Sequence, residues 1–185
     1  MKIKSLHCLI MTLPFLFFAC ASQETPSAPA AEGFAAKPYG TLLQVMRAIP
    51  FPHSNVIFDT QSKDPEKDKA TSMSLSVYKV SDSDVYAGWP GVESSALAMA
   101  EAANLITIPG RKCANGLPVP VEREDWKKFA QGLADAGMAA YQAAQTKDMD
   151  KMLEVSETVT NACSACHDVY RDVDQVGKMR CVAPN

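Results

Sequence analysis

Apolar residues recur every three or four positions in four segments of this chain, a spacing that places them on one face of an α-helix. The segments cover residues 37–49, 92–108, 123–145 and 149–173. Many of these positions are alanines, whose small side chains allow neighbouring helices to approach closely. The pattern therefore predicts an all-α protein. The predicted apolar faces of the last three helices are Ala96, Met99, Ala103 and Ile106; Trp126, Phe129, Leu133, Ala136, Ala140 and Ala144; and Met152, Val155, Val159, Cys163, Cys166 and Tyr170.

Proline positions and loop lengths set the expected limits of these helices. Pro50 and Pro52 are expected to stop the first helix, because a helix interior needs the amide hydrogen that proline lacks. The turn at 146–147 is so short that the third and fourth helices are expected to run antiparallel. Residues 50–88 form an unusually long stretch between the first two predicted helices and are expected to be an irregular insert, with a solvated loop in its charged part at 59–70. Within it, residues 71–80 alternate between apolar and polar and favour a short extended segment.

The N-terminus has the pattern of an export signal. Lys2 and Lys4 precede an apolar stretch that ends at Ala19 and is short for a membrane span. It runs into Phe17-Phe18-Ala19-Cys20, which resembles a bacterial lipobox, and this makes Cys20 the predicted lipidation site. The alternative is cleavage after Ala19 or Ala21, which would release a soluble exported protein.

This pattern predicts three parts of the chain and a location. Residues 1–19 are the export signal of lipoprotein type, and residues 20–36, rich in Ala, Pro, Ser and Thr, are a flexible tether. Residues 37–185 are the folded domain. We expect it to face the periplasm of a bacterial cell envelope, held at a membrane by its lipid.

The charge of the chain narrows the choice of partners. Loss of Lys2 and Lys4 with the export signal changes the formal net charge from −3 to −5. A chain this acidic has no basic surface for nucleic acid. A charged redox partner is expected to be basic.

The run Cys163-Ser164-Ala165-Cys166-His167 has the Cys-x-x-Cys-His pattern that holds a c-type haem. The two thiols form thioethers with the porphyrin, and the imidazole binds the iron. On a helix, Cys163, Cys166 and His167 share one face. A redox dithiol would need a strand-to-helix context, and a zinc site would need four ligands. One covalent haem c, with His167 as the proximal iron ligand, is therefore the predicted cofactor.

Cysteine usage fits export to an oxidising compartment. Of the six cysteines, Cys8 leaves with the export signal, and three others serve the predicted lipid and haem sites. The remaining pair, Cys113 and Cys181, is predicted to form a disulfide. The alternative is two separate thiols.

The ending Cys163-Ser-Ala-Cys-His-Asp-Val-Tyr-Arg171 resembles the Cys-x-x-Cys-His-x-x-Tyr-Arg ending of class II c-type cytochromes, the cytochrome c-prime family. The resemblance covers residues 37–172 and departs from the family at the insert, the Cys113 loop and the C-terminal tail. It implies an antiparallel up-down-up-down four-helix bundle with a long irregular insert between helices 1 and 2. It also implies a homodimer through the outer helix faces.

The same resemblance implies a role for Arg171 in the proximal pocket or at a haem propionate. The alternative for Arg171 is a cation that favours the C-terminal end of its helix. Arg111 and Lys112, expected at the same end of the bundle, are further candidates for the propionates.

The bundle places Met46 nearly level with the iron, because each helical residue advances about 1.5 Å along its axis. If Met46 binds iron, the haem is six-coordinate and suited to one-electron transfer. If Met46 only lines the pocket, an open position remains for nitric oxide or carbon monoxide. His53, expected in a surface turn, is a weaker candidate for the sixth ligand.

The predicted function is one-electron transfer with a redox partner protein, and the alternative is gas binding by five-coordinate haem. An enzyme of the peroxidase type is not expected, because no distal acid–base pair is visible.

Overall fold

The computed structural model describes residues 35–67 and 88–171, which lie within one compact unit, Ala35–Asn185. These residues form α-helices that pack as a bundle, so the all-α prediction is confirmed for this part of the chain. Helix α4 contacts both α3 and α5, while α2 contacts α1, α3 and α5. The helices are α1, Leu42–Ala48; α2, Pro50–Asp59; α3, Gly88–Ile106; α4, Glu124–Thr146; and α5, Met149–Tyr170.

Helix α1 begins later than residue 37 because Thr41 caps it. The Gln44 amide donates to the Thr41 hydroxyl at 3.3 Å, and the Thr41 amide donates to the Gln44 side-chain oxygen at 2.8 Å. This reciprocal capping box satisfies two amides that have no partner inside the helix. The start of α1 is therefore set by Thr41 and Gln44.

The prolines after α1 start a helix instead of ending all helical structure. Ile49, with φ −125°, separates the two helices, and Pro50 is the first residue of α2. The first turn of a helix needs no amide partner at that position, and the fixed φ of proline is already helical. The expectation of an irregular insert is therefore wrong for its first ten residues, Pro50–Asp59.

The remainder of the predicted insert is described only in part. Residues 60–62 and 65–67 are turns. The predicted extended segment at 71–80 lies outside the described residues, as do the predicted export signal and most of the tether.

The predicted apolar faces of the three long helices form the core. The predicted core residues that are buried are Ala96, Met99, Ala103, Ile106, Trp126, Leu133, Ala136, Ala140, Ala144, Met152, Val155, Val159 and Tyr170. Phe129, Cys163 and Cys166 are partly buried and pack against this core. Helices α3 and α4 approach closely at Gly137, where an added Cβ would lie 2.5 Å from the Ala100 amide nitrogen.

The loop between α3 and α4 ties the start of α1 to the end of α3. The Arg111 guanidinium, 3% exposed, donates to the Gly40 carbonyl at 2.7 Å and to the Leu105 carbonyl at 2.9 and 3.1 Å. The Leu42 amide donates to the Lys112 carbonyl at 2.8 Å. Backbone carbonyls thus accept three hydrogen bonds from Arg111, and its suggested contact with a propionate stays a prediction.

A two-residue connection joins α4 to α5. Lys147 adopts the left-handed conformation with φ 55° and ends α4. Asp148 caps α5 by accepting from the amides of Asp150 at 2.9 Å and Lys151 at 3.3 Å. The left-handed residue ends α4 and the Asp148 cap begins α5 directly after it, so only two residues connect the helices.

Candidate functional site

A cavity of about 410 Å³ is lined by residues of all five helices. This volume is typical of small-molecule and cofactor sites. Its wall is mainly apolar. Ile106 lines it from α3, Phe129 and Leu133 from α4, and Leu43 and Met46 from α1.

The Cys-x-x-Cys-His residues lie together on the α5 side of this cavity. Cys163, Cys166 and His167 all line it and are partly buried. Both thiols are free. The helix continues past them, and its last turn closes when the Arg171 amide donates to the His167 carbonyl at 2.8 Å. The regular α5 backbone thus presents two thiols and an imidazole to one apolar space.

Burial keeps the two thiols protonated at neutral pH. It raises the pKa of Cys163, and it raises the pKa of Cys166 to about 12, with smaller contributions from Cys163 and Asp125. A redox dithiol needs a lowered thiol pKa so that one sulfur is a thiolate. The environment of Cys163 and Cys166 is therefore the opposite of what a thioredoxin-like site requires.

Burial also keeps the His167 imidazole neutral. It lowers the pKa of His167, the nearby Arg171 charge lowers it further, and Asp168 acts in the opposite direction. The neutral imidazole is the form that binds a metal ion. His167 is therefore available as a ligand at neutral pH without first losing a proton.

Met46 and two arginines lie on the same cavity wall. Met46, half-buried, faces the cavity from α1, and Arg171 reaches it from the end of α5. Arg47, which the sequence interpretation did not single out, is a second exposed arginine at the cavity. The feature of the sequence that could have identified Arg47 is its position directly after Met46, in the last turn of α1. No acidic side chain of the described residues lines this cavity.

Helix α2 supplies much of the remaining wall, which the sequence interpretation missed. Phe51, Ser54, Asn55 and Phe58 line the cavity from one side of α2. These residues fall in the stretch expected to be irregular. Without an expected helix, there was no reason to assign them a common face.

His53 lies in α2 instead of a surface turn. Its Nδ1 atom is 3.2 Å from the Ser95 hydroxyl of α3, and the two groups hydrogen bond. Burial lowers the pKa of His53. His53 is not among the residues that line the cavity, so it is not brought together with His167.

The remaining predicted cysteines are only partly covered by the described residues. Cys113 is buried, 2% exposed. Cys181 and Cys20 lie outside the described residues. The pairing of Cys113 with Cys181 and the lipidation of Cys20 therefore stay predictions.

Comparisons of this chain with protein-family models, with curated proteins and with solved structures found no match. Within residues 35–67 and 88–171, no group of three or more His, Cys, Asp or Glu side chains could hold a metal ion. Across the same ranges, each helix is too short or too polar to be a candidate membrane span.

The cavity residues fit the chemical requirements of a covalent haem. A porphyrin needs an apolar space, and the wall here is mainly apolar. Its attachment needs two free thiols beside an imidazole, which Cys163, Cys166 and His167 supply. Its carboxylates need donors or cations, and Arg47 and Arg171 line the cavity. These five residues could hold a haem c group.

Proposed function

We propose that this protein is a c-type cytochrome of the bacterial cell envelope that carries one covalent haem c and transfers single electrons. The observation that carries the proposal is that Cys163, Cys166 and His167 share one apolar cavity with Met46 of α1. When bound, the haem supplies an iron that changes between its ferric and ferrous forms.

The side chains around the cavity have separate roles in this proposal. Cys163 and Cys166 hold the group covalently, and the neutral His167 imidazole is the proximal ligand. Arg171, with Arg47, pairs with the anionic edge. The apolar wall excludes water, which favours the less charged ferrous state and so raises the reduction potential.

Met46 decides between electron transfer and gas binding. A thioether ligand would fill the sixth position, favour the ferrous state and suit rapid electron exchange. The alternative is a five-coordinate haem protein that binds nitric oxide or carbon monoxide. It is favoured by the apolar side chains that line the cavity together with Met46, such as Leu43 and Phe58, which cannot bind iron. In that case Met46 is one more apolar wall residue.

The wider features of the protein are part of the same proposal. The helices run up-down-up-down as in class II c-type cytochromes, the group that the Cys163–Arg171 motif resembles. Cys20 carries a lipid that anchors the domain on the periplasmic side, and Cys113 pairs with Cys181. The acidic chain exchanges electrons with a basic redox partner protein, and two copies associate as a homodimer.

The test is the absorption spectrum of protein produced together with c-type haem maturation machinery. Spectra are recorded oxidised, reduced, and reduced with carbon monoxide. Electron transfer predicts a low-spin spectrum with a methionine-to-ferric-iron band and no immediate shift with carbon monoxide. Met46→Ala should remove that band, whereas Met138→Ala, an exposed methionine of α4, should leave it unchanged.

Other spectra would change or end the proposal. A high-spin spectrum that shifts at once with carbon monoxide would move the function to gas binding. A chain that carries no covalent haem after co-production with the maturation machinery would contradict both functions.

A further inference from the structure

We infer that one exposed patch of the folded domain rests on the anionic surface of the membrane that holds the proposed lipid anchor. This contact patch consists of Lys37, Tyr39, Lys112 and Leu117. The membrane contact rests on the proposed lipid at Cys20 and does not require the haem. It gives the anchored domain one preferred orientation at the membrane.

Hydrogen bonds bring together the two chain segments that form the contact patch. The Arg111 guanidinium donates to the Gly40 carbonyl at 2.7 Å. The Leu42 amide donates to the Lys112 carbonyl at 2.8 Å. Because Gly40 directly follows Tyr39, these bonds hold the backbone at Tyr39 close to the backbone at Lys112.

Leu117 lies near the tip of a short hairpin that begins at Lys112. Lys112 and Pro118 form an antiparallel bridge, and the Cys113 amide donates to the Leu117 carbonyl at 2.8 Å. Cys113 is buried, whereas residues 114–118 are all exposed. The base of the hairpin is therefore fixed in the core, and its tip extends into solvent.

The side chains of the contact patch combine apolar surface with positive charge. Tyr39, 78% exposed, is the most exposed large apolar side chain of the described residues, and Leu117 is 45% exposed. The Lys37 ammonium lies 5.3 Å from the centre of the Tyr39 ring, and Lys112 is also exposed. Tyrosine is enriched at membrane–water interfaces, and lysine keeps its charge in water while its stem covers apolar surface. The contact patch thus has the composition of a membrane-surface contact.

Charge is distributed unevenly along this acidic chain. The formal net charge is −3, yet residues 35–58 and 102–121 contain no Asp or Glu. The Lys and Arg residues of these two segments are Lys37, Arg47, Arg111 and Lys112. A lysine near an anionic membrane surface strengthens the contact about fivefold. An anionic bilayer is therefore complementary to the contact patch, whereas a basic redox partner would be repelled there.

The proposed anchor makes even a weak contact effective. The predicted tether, residues 20–36, has 17 residues, and a flexible chain of that length spans about 20–25 Å on average. Such tethering gives an effective concentration on the order of millimolar. The tether enters the domain directly before Lys37, so the contact patch is the part of the domain that the anchor keeps closest to the bilayer.

The test is amine-reactive labelling of lysines in the mature, haem-loaded protein, purified with its lipid and inserted into preformed vesicles. Vesicles of phosphatidylcholine are compared with vesicles of an equal mixture of phosphatidylcholine and phosphatidylglycerol, and mass spectrometry measures the labelling rate at each lysine. The rates at Lys37 and Lys112 should fall severalfold in the anionic vesicles.

Lys147 is the internal control for these rates. It follows the last residue of α4, a helix of 23 residues, and therefore lies about 35 Å from the helix end that follows the hairpin. Its labelling rate should be the same in both kinds of vesicle. Equal rates at Lys37 and Lys112 in the two kinds of vesicle would overturn the membrane contact.

A double variant tests the apolar part of the contact patch. Tyr39→Ser with Leu117→Ser removes two exposed side chains, which leaves the fold intact, and retains both lysines for the measurement. Most of the protection of Lys37 and Lys112 should be lost. Leu153→Ser, at a position of α5 that is 55% exposed, is the matched control and should keep the parent's protection. Protection that is unchanged in the double variant would contradict a contact through this patch.

The remaining outcomes identify another occupant or a missing anchor. Protection that appears in detergent without vesicles, and that increases with protein concentration, would assign the contact patch to a second copy of the chain and rule out the membrane contact. A mature protein without lipid contradicts the anchor and the membrane contact together. Neither result alters the covalent haem or its spectrum, which test the cytochrome proposal separately.

Discussion

Burial controls the protonation of the ionisable residues around the cavity. It lowers the pKa of His167 and raises those of Cys163 and Cys166. In each case the apolar surroundings disfavour the charged form. The result at neutral pH is a neutral imidazole beside two neutral thiols, which is compatible with metal ligation by His167 and covalent attachment at the sulfurs.

Burial of His53 makes the folded state sensitive to acid. The pKa of His53 in the folded protein is lowered below 6.5, so the unfolded chain takes up the proton more readily. The neutral, buried His53 therefore contributes fully to the stability of the folded state above pH 6.5, and this contribution declines as the pH falls below that value. We expect the free energy of unfolding to decrease from pH 7 to pH 5. His53→Asn, which retains a polar group near Ser95, should reduce this slope in urea denaturation series.

Comparing the parent with His53→Asn isolates the effect of His53, because His167 contributes equally to the pH dependence of unfolding in both proteins. The two series should be collected on the same haem-loaded form. Equal slopes in the parent and His53→Asn would contradict this prediction, because they would mean that the pKa of His53 is the same in the folded and unfolded states.

At the level of the helix, α4 contains two glycines with different surroundings. A Cβ at Gly137 would lie 2.5 Å from the Ala100 amide nitrogen and 2.9 Å from the Ala100 Cα, both backbone atoms of α3. Because backbone cannot rotate away, α3 and α4 would have to separate. Gly137→Ala should destabilise the fold by about 1–3 kcal/mol, the range for overpacked cores, in equilibrium denaturation.

Gly132 is the matched control on the same helix. A Cβ there would meet no atom within 4 Å, and alanine is a better helix former than glycine. Gly132→Ala should therefore stabilise the protein by about 0.5–1 kcal/mol. If both variants were more stable than the parent protein, α3 and α4 would not approach as closely at Gly137 as the structure indicates.

The break between α1 and α2 shows the limit of reading helices from proline positions. Pro50 and Pro52 end any helix that precedes them, and this much was predicted. They are equally suited to the first turn of a new helix. A new helix begins here because the residues that follow the prolines pack into the core, where Val56 and Ile57 are buried.

At the level of the whole molecule, Arg111 fixes where α1 sits. Its guanidinium bridges the Gly40 carbonyl before α1 and the Leu105 carbonyl at the end of α3. Arg111→Met should destabilise the protein by about 1–3 kcal/mol, because partly buried carbonyls lose their donors. Hydrogen exchange of the Leu42 amide, which donates to the Lys112 carbonyl, should accelerate.

Lys112→Met makes a similar change at the adjacent, exposed position. It should alter stability by no more than about 0.5 kcal/mol. If the two substitutions lowered the stability equally, the destabilisation would be due to loss of a cation and not to loss of the Arg111 hydrogen bonds.

The helical class, the buried faces of the three long helices and the grouping of Cys163, Cys166 and His167 can all be predicted from the amino-acid sequence. These features are local, because helical periodicity and a spacing of three or four residues already place side chains on one face. Tertiary structure decided which helices surround that face. It brought Met46, Arg47 and one side of α2 to the same cavity and occupied Arg111 with backbone carbonyls. Those outcomes depend on packing and hydrogen bonds between residues far apart in the chain, which no local pattern records.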